Sequence, residues 1–237
     1  MLKLENVCYG VEERPDIISN VSLEIDKPFA AITGPNGSGK STLMRIIAGI
    51  VKPTSGRIYF DDKDITDMSI TDRAKLGISY AFQKPVAFKG LRVYDLIKLA
   101  AGKEISLKEA CAYLSEVGLV AREYINRELN DSLSGGEMKR IEIAMILARS
   151  TELSLFDEPE AGIDLWSFQS LIKVFEKMND KVEGNIIIIS HQERILNIAD
   201  SIIMLQDGKV VHQGTPEEIM PHILNSKCTN PSTDKLM

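Results

Sequence analysis

The run Gly34-Pro35-Asn36-Gly37-Ser38-Gly39-Lys40-Ser41 constrains this chain more than any other stretch, because it matches G-x-x-x-x-G-K-[ST]. It stands between the short apolar run Phe29 to Thr33 and a helical pattern of Leu43, Ile46, Ile47 and Ile50. That strand–loop–helix setting separates a phosphate loop from a mere glycine-rich turn. The glycines let the backbone wrap closely around an anion, and successive N–H groups together with the helix N-terminus supply partial positive charge. The nucleotide contacts expected from the loop are Gly34, Asn36, Gly37, Ser38, Gly39, Lys40, Ser41 and Thr42. Lys40 reaches the β and γ phosphates, the Ser41 hydroxyl ligates Mg²⁺, and Thr42 meets the α phosphate.

A nucleoside triphosphate site needs a second strand bearing a carboxylate for the metal. Leu153 to Phe156 is an apolar strand that delivers Asp157 to its carboxyl end, where α/β sheets bind ligands. Asp157 is expected to hold Mg²⁺ through water, and Glu158 to orient or deprotonate the attacking water. The same two acids could instead cap the next helix.

The 237 residues suffice for a large core in one or two domains. A net charge of −6 excludes the basic footprint of a nucleic-acid binder or of a protein held to an anionic membrane. Hydrophobic content of 44% with 26% charged residues excludes wholesale disorder. Apolar runs such as Ile186 to Ile189 fall far short of the ~20 residues of a spanning helix, and Met1 leads into an alternating stretch rather than a signal core. Cys8, Cys111 and Cys228 lie far apart, without metal-binding spacing, and read as incidental thiols in a reducing compartment. These features together predict a soluble, cytoplasmic protein.

Strands are expected over Leu2 to Val7, Val21 to Ile25, Arg57 to Phe60 and Ile78 to Phe82, beside the apolar runs already named. From Val93 to Glu123 apolar residues fall three or four apart, which predicts a helical insert. Another helix is expected from Ser134 to Arg149, another over Phe168 to Met178, and a hairpin at Asp207-Gly208. The polar stretch from Asn225 reads as a loose end, Trp166 as packing, and His212 and His222 as ordinary residues.

Leu133-Ser134-Gly135-Gly136-Glu137 resembles the signature motif of ATP-binding-cassette (ABC) ATPases, and with the phosphate loop, Asp157-Glu158-Pro159 and Ser190-His191 the resemblance covers about residues 1 to 220. It implies an α/β ABC ATPase fold: a P-loop parallel-sheet core, an antiparallel β subdomain, and a helical subdomain inserted at about 86–150. One domain would then span 1–220, with a tail over 221–237. It implies ATP and Mg²⁺ as cofactors and hydrolysis of ATP to ADP and phosphate. Gln83 matches the residue that touches Mg²⁺ and the attacking water, His191 the switch histidine at the γ-phosphate, and Tyr9 the aromatic that stacks on adenine. Lys40, Gln83, Glu158 and His191 are thus the expected catalytic group, with Ser41, Gln83 and Asp157 at the metal. In the family, Ser134, Gly135, Gly136 and Glu137 bind the ATP of a second subunit, and Ala161-Gly162-Ile163-Asp164 crosses between subunits, so ATP drives a head-to-tail dimer.

The stretch Ser134 to Ile143, together with Ala81-Phe82-Gln83-Lys84-Pro85-Val86, is similar to the SUF iron–sulfur cluster assembly ATPase. It departs at Lys84, Met138 and Ile141, where that family often has Tyr, Lys and Asn. This resemblance implies a soluble scaffold partner, with two ATPase and two scaffold chains, and a role in powering Fe–S cluster assembly. The alternatives are the nucleotide-binding subunit of a membrane transporter and an ATP-switched dimerisation module. Glu158 speaks against the last, because a module without turnover has no need of it.

Overall fold

The computed structural model describes residues 1–130, 132–181 and 184–228. It opens with an antiparallel hairpin, β1 (Leu2–Val11) and β2 (Arg14–Ile25). Leu2 faces Ile25 and Leu4 faces Leu23 across the ladder, and all four are buried, so the period-two alternation turns one face to the core. The hairpin is longer than its apolar alternation, because pairing continues through polar residues to Val11 and Arg14.

Next come β3 (Phe29–Thr33), α1 (Lys40–Ala48), β4 (Ser55–Phe60), the two-residue β5 (Lys63–Asp64), α2 (Ile70–Lys75) and β6 (Ile78–Ala81). β4 and β5 complete a four-stranded sheet of order β2-β1-β4-β5. The middle of the chain is β7 (Phe88–Arg92), α3 (Val93–Ala101), α4 (Leu107–Glu116), α5 (Ala121–Tyr124), β8 (Glu128–Leu129) and α6 (Gly135–Arg149). β7 pairs with β8, a short ribbon within the otherwise helical insert that no alternation announces. The remainder is β9 (Leu153–Asp157), α7 (Leu165–Lys181), β10 (Asn185–Ile189), α8 (Glu193–Ile198), β11 (Ser201–Gln206), β12 (Lys209–Gly214) and α9 (Pro216–Cys228).

The central sheet has the order β12-β11-β3-β10-β9-β6, and only β12, returning from β11 through Asp207-Gly208, runs antiparallel. Its parallel strands are covered on both faces, which is why they read as unbroken apolar runs. Alternation then divides them between two cores. Ala30, Ile32, Leu155, Ile187 and Ile203 pack with α1 and the antiparallel sheet, whereas Phe29, Ala31, Phe156, Ile186 and Ile188 pack with the helical insert, α7, α8 and α9.

The expected tail boundary at 220/221 falls inside α9, which runs on to Cys228 because Ile219 and Ile223 are buried. Residues 229–237 and the side chains of Trp166 and Cys228 lie outside the described residues. Cys8 and Cys111 are half-buried free thiols. No helix among the described residues is long and apolar enough to cross a membrane.

Candidate nucleotide site

β3 ends in the buried Thr33, and the chain turns at Gly34 (φ 139°), where a Cβ would lie 1.9 Å from the Leu205 carbonyl oxygen. Only glycine passes that point. Gly39, at φ 100°, caps α1 without a side-chain hydrogen bond, so the first-turn amides have no side-chain acceptor. Lys40 is 5% exposed and folds back over the loop, donating to the carbonyls of Gly34 at 2.8 Å and Pro35 at 2.9 Å. Burial lowers its ammonium pKa, against the opposing pull of Glu158 and Asp157. The buried Ser38 hydroxyl has no hydrogen-bond partner. An orphaned buried hydroxyl beside uncapped amides and an ammonium fits a chain of phosphates.

The parallel registers bring the acids to this loop. Ile189 pairs with Asp157, so β9 and β10 end level with one another beside β3. Asp157 is 1% exposed, and its two oxygens accept from Ser41 Oγ at 2.9 Å and Tyr80 O–H at 2.7 Å. Burial, then the hydrogen bond to Asp157 and its charge, push the Tyr80 hydroxyl far above its ordinary pKa. Ser41 and Asp157 offer the hard oxygen donors that suit Mg²⁺. Among the described residues there is no cluster of three or more His, Cys, Asp or Glu able to hold a metal. With Ser41 and Asp157 as its donors from the chain, a Mg²⁺ ion here would take phosphate and water to complete its shell.

Glu158 takes the left-handed conformation, φ 46°. One carboxylate oxygen accepts from Gln83 Nε2 at 2.6 Å, and the other lies 3.6 Å from His191 Nε2. Lys40, Ser41, Asp157, Glu158, Gln83 and His191 are thus brought into one polar cluster. Gln83 is engaged with Glu158 rather than with Ser41 and Asp157, the pair it was expected to join at the metal.

The signature residues are built differently. Ser134 caps α6, its hydroxyl accepting from Glu137 N–H at 3.2 Å while the Glu137 carboxylate accepts from Ser134 N–H at 2.7 Å. Tyr124 O–H also donates to Glu137, at 2.5 Å. Gly135 and Gly136 lie against Gly162 and Ile163 of the loop after Glu158. No hydrogen bond among the described residues joins Ser134, Gly135, Gly136 or Glu137 to residues 34–42. Tyr9 is half-buried on β1 opposite Ile18, whose Cδ1 sits 2.8 Å from the place of a Cβ on Gly39. Tyr9, the residue expected to stack on adenine, is therefore carried on the strand pair that abuts the loop.

Two participants carry no sequence signal: Tyr80 is one apolar-looking member of a strand, and Arg14 donates to the Gly37 carbonyl at 2.9 Å. Ser190, beside His191, donates its O–H to the Glu160 carboxylate at 2.5 Å. Burial raises the Glu160 pKa. His212 and His222 stack on each other, ring centroids 4.3 Å apart, between β12 and α9.

Residues 18–161 match the ABC transporter family. An uncharacterized ABC transporter ATP-binding protein of Methanocaldococcus jannaschii is 37% identical over 92% of this chain and 90% of its own length. A probable ATP-dependent transporter of the alga Antithamnion is 32% identical over 93% of each. A dimeric ATP-binding cassette in its post-hydrolysis state, bound to ADP and phosphate, superposes with a TM-score of 0.82 at 28% identity, covering 91% of this chain and 99% of that one. With the phosphate loop, the paired acids and the capped signature helix in one α/β frame, the chain belongs to the ABC transporter family of ATP-binding cassettes.

Proposed function

We propose that this cassette hydrolyses MgATP, with Lys40 holding the β and γ phosphates and the Ser41–Asp157 pair orienting the metal. Glu158 acts as the general base toward the attacking water, positioned by Gln83 on one side and facing His191 on the other. The observation that carries this reading is the position of Glu158 between Gln83 at 2.6 Å and His191 at 3.6 Å. When bound, Mg²⁺ neutralises developing charge on the phosphates, while the chain's own residues bind, orient and take the proton. Ser134 to Glu137 would meet the ATP of a second copy, so turnover requires a head-to-tail dimer. Tyr9, His191 and Lys40 would contact the chain's own nucleotide, in the cytoplasm.

The relatives' names favour a transporter subunit as the role of the cycle. The partner would sit in the apolar cavity of about 300 Å³ lined by Phe82, Val86, Phe88, Met138 and Met145, next to the residue that precedes Gln83. A second reading, a soluble scaffold in Fe–S assembly, is favoured by Glu137, Lys139 and Glu142, the signature-helix residues through which the chain resembles the SUF ATPase. Affinity capture from anaerobic lysate separates the two: a polytopic membrane protein supports the first, an iron-binding soluble protein the second.

The hydrolysis claim is tested by phosphate release. Wild type is expected to turn over MgATP, and Glu158→Gln to bind it while losing roughly 10²–10⁴ in rate, the usual cost of removing a general base. Equal rates would remove Glu158 from the role.

A further inference from the structure

α6 carries a largely buried ion pair that the chemistry above does not use. Lys139 is 1% exposed, and its ammonium lies 3.1 Å from the Glu142 carboxylate one turn along the helix. Both groups then turn to one residue of another element. Lys139 Nζ donates to the Phe82 carbonyl oxygen, and Phe82 N–H donates to Glu142 Oε1 at 3.2 Å. Phe82 stands just beyond β6, where the ladder to β9 ends at Ala81 opposite Phe156, so no strand neighbour holds its backbone. The next residue is Gln83, whose amide fixes Glu158.

Stability does not account for this arrangement. Burying two charges carries a desolvation penalty, and an apolar pair of similar volume is commonly as stable or more so. Burial in fact raises the Glu142 pKa against the pull of Lys139 and the Phe82 amide. The pair does supply a donor and an acceptor in fixed places, which an apolar pair cannot.

The geometry points to Lys139 and Glu142 as positioning residues: by gripping the N–H and C=O of Phe82 they set where Gln83 holds Glu158. The inference deepens the ATPase reading and rests on it. The grip acts on the height of the chemical barrier rather than on nucleotide binding, because Lys40, Ser41 and the loop amides stand apart from it.

The test compares wild type, Lys139→Met/Glu142→Met and Lys139→Arg in kcat, KM for ATP and thermal midpoint. The double variant is expected to lose about tenfold or more in kcat, as small misplacements of a catalytic group do. Its KM should stay within about twofold, and its midpoint should equal or exceed that of wild type. Lys139→Arg, which keeps a donor and a cation, should retain most of the rate. A folded double variant with wild-type kcat overturns the inference. Hydrogen exchange on the wild-type protein gives a second measure, independent of any variant's folding. The Phe82 amide should exchange much more slowly than those of Gln83 and Lys84, and exchange as fast as theirs would refute the grip. Absence of hydrolysis by wild type would sink the ATPase reading instead, and the exchange result would still decide the grip.

Discussion

Two helix starts in this protein are capped in opposite ways. α1 begins at Gly39 with no side-chain cap, so its amides await an acceptor from outside, and the ammonium and hydroxyl of Lys40 and Ser41 sit beside them. α6 begins at Ser134 with a side-chain cap: Glu137 and Ser134 cap each other, and Tyr124 holds the glutamate in place. The first start is a ligand site within one chain. The second is a side-chain-capped end whose two glycines pack on the loop leading from Glu158, and in the function proposed above it meets the nucleotide of a second copy.

Lys40→Ala attacks the first start and should have the largest effect. Losing charge-assisted bonds to phosphate, about 1.5–3 kcal/mol, weakens ATP binding by roughly 10- to 100-fold in a nucleotide titration. Thermal stability without nucleotide should change far less, because Lys40 here bonds only carbonyls of its own loop. Equal affinity would mean that the open amides suffice alone.

Ser134→Ala attacks the second start. Loss of the cap should cost about 1 kcal/mol in chemical denaturation. MgATP-driven self-association should weaken while ATP binding to the isolated chain stays intact, and a loss of binding instead would place Ser134 at its own chain's nucleotide.

Tyr80→Phe sharpens the contrast from the metal side. It removes one of two hydrogen bonds to Asp157, at a cost of about 0.5–1.5 kcal/mol. The Tyr80 pKa is raised above its ordinary 10.0, so the native state keeps a proton that the unfolded state releases. The contribution is complete below pH 10 and is lost as pH climbs toward the folded value. Wild type should therefore lose stability above that pH more steeply than Tyr80→Phe, as followed by denaturant titration across alkaline pH.

The smallest effect belongs to the insert's outer face. Leu99 is 73% exposed, and Leu99→Ser should shift stability by no more than about 0.5 kcal/mol, with hydrolysis unchanged.

What could be read from the sequence divides along similar lines. The strands Phe29 to Thr33, Leu153 to Phe156 and Ile186 to Ile189 were legible because burial on both faces leaves an unbroken apolar signal. The phosphate loop was legible because its φ values and close backbone approaches admit few residue types. The β7–β8 ribbon was not, since β7 is exposed along its whole length and has no buried face to leave a pattern. Nor was the bond from Tyr80 to Asp157, which joins residues 77 apart and depends on register. The expected metal role of Gln83 came from a motif, and its contact with Glu158 came from the fold. α9 outlasted its expected end because two isoleucines spaced one turn apart, Ile219 and Ile223, are buried and anchor a helix that is otherwise largely exposed.

The most direct test of the central claim is the sedimentation of Glu158→Gln with MgATP and with MgADP. If the open helix start of one copy and the capped helix start of another enclose each nucleotide, the variant sediments as a dimer with MgATP and as a monomer with MgADP. A monomer in both would contradict the shared site.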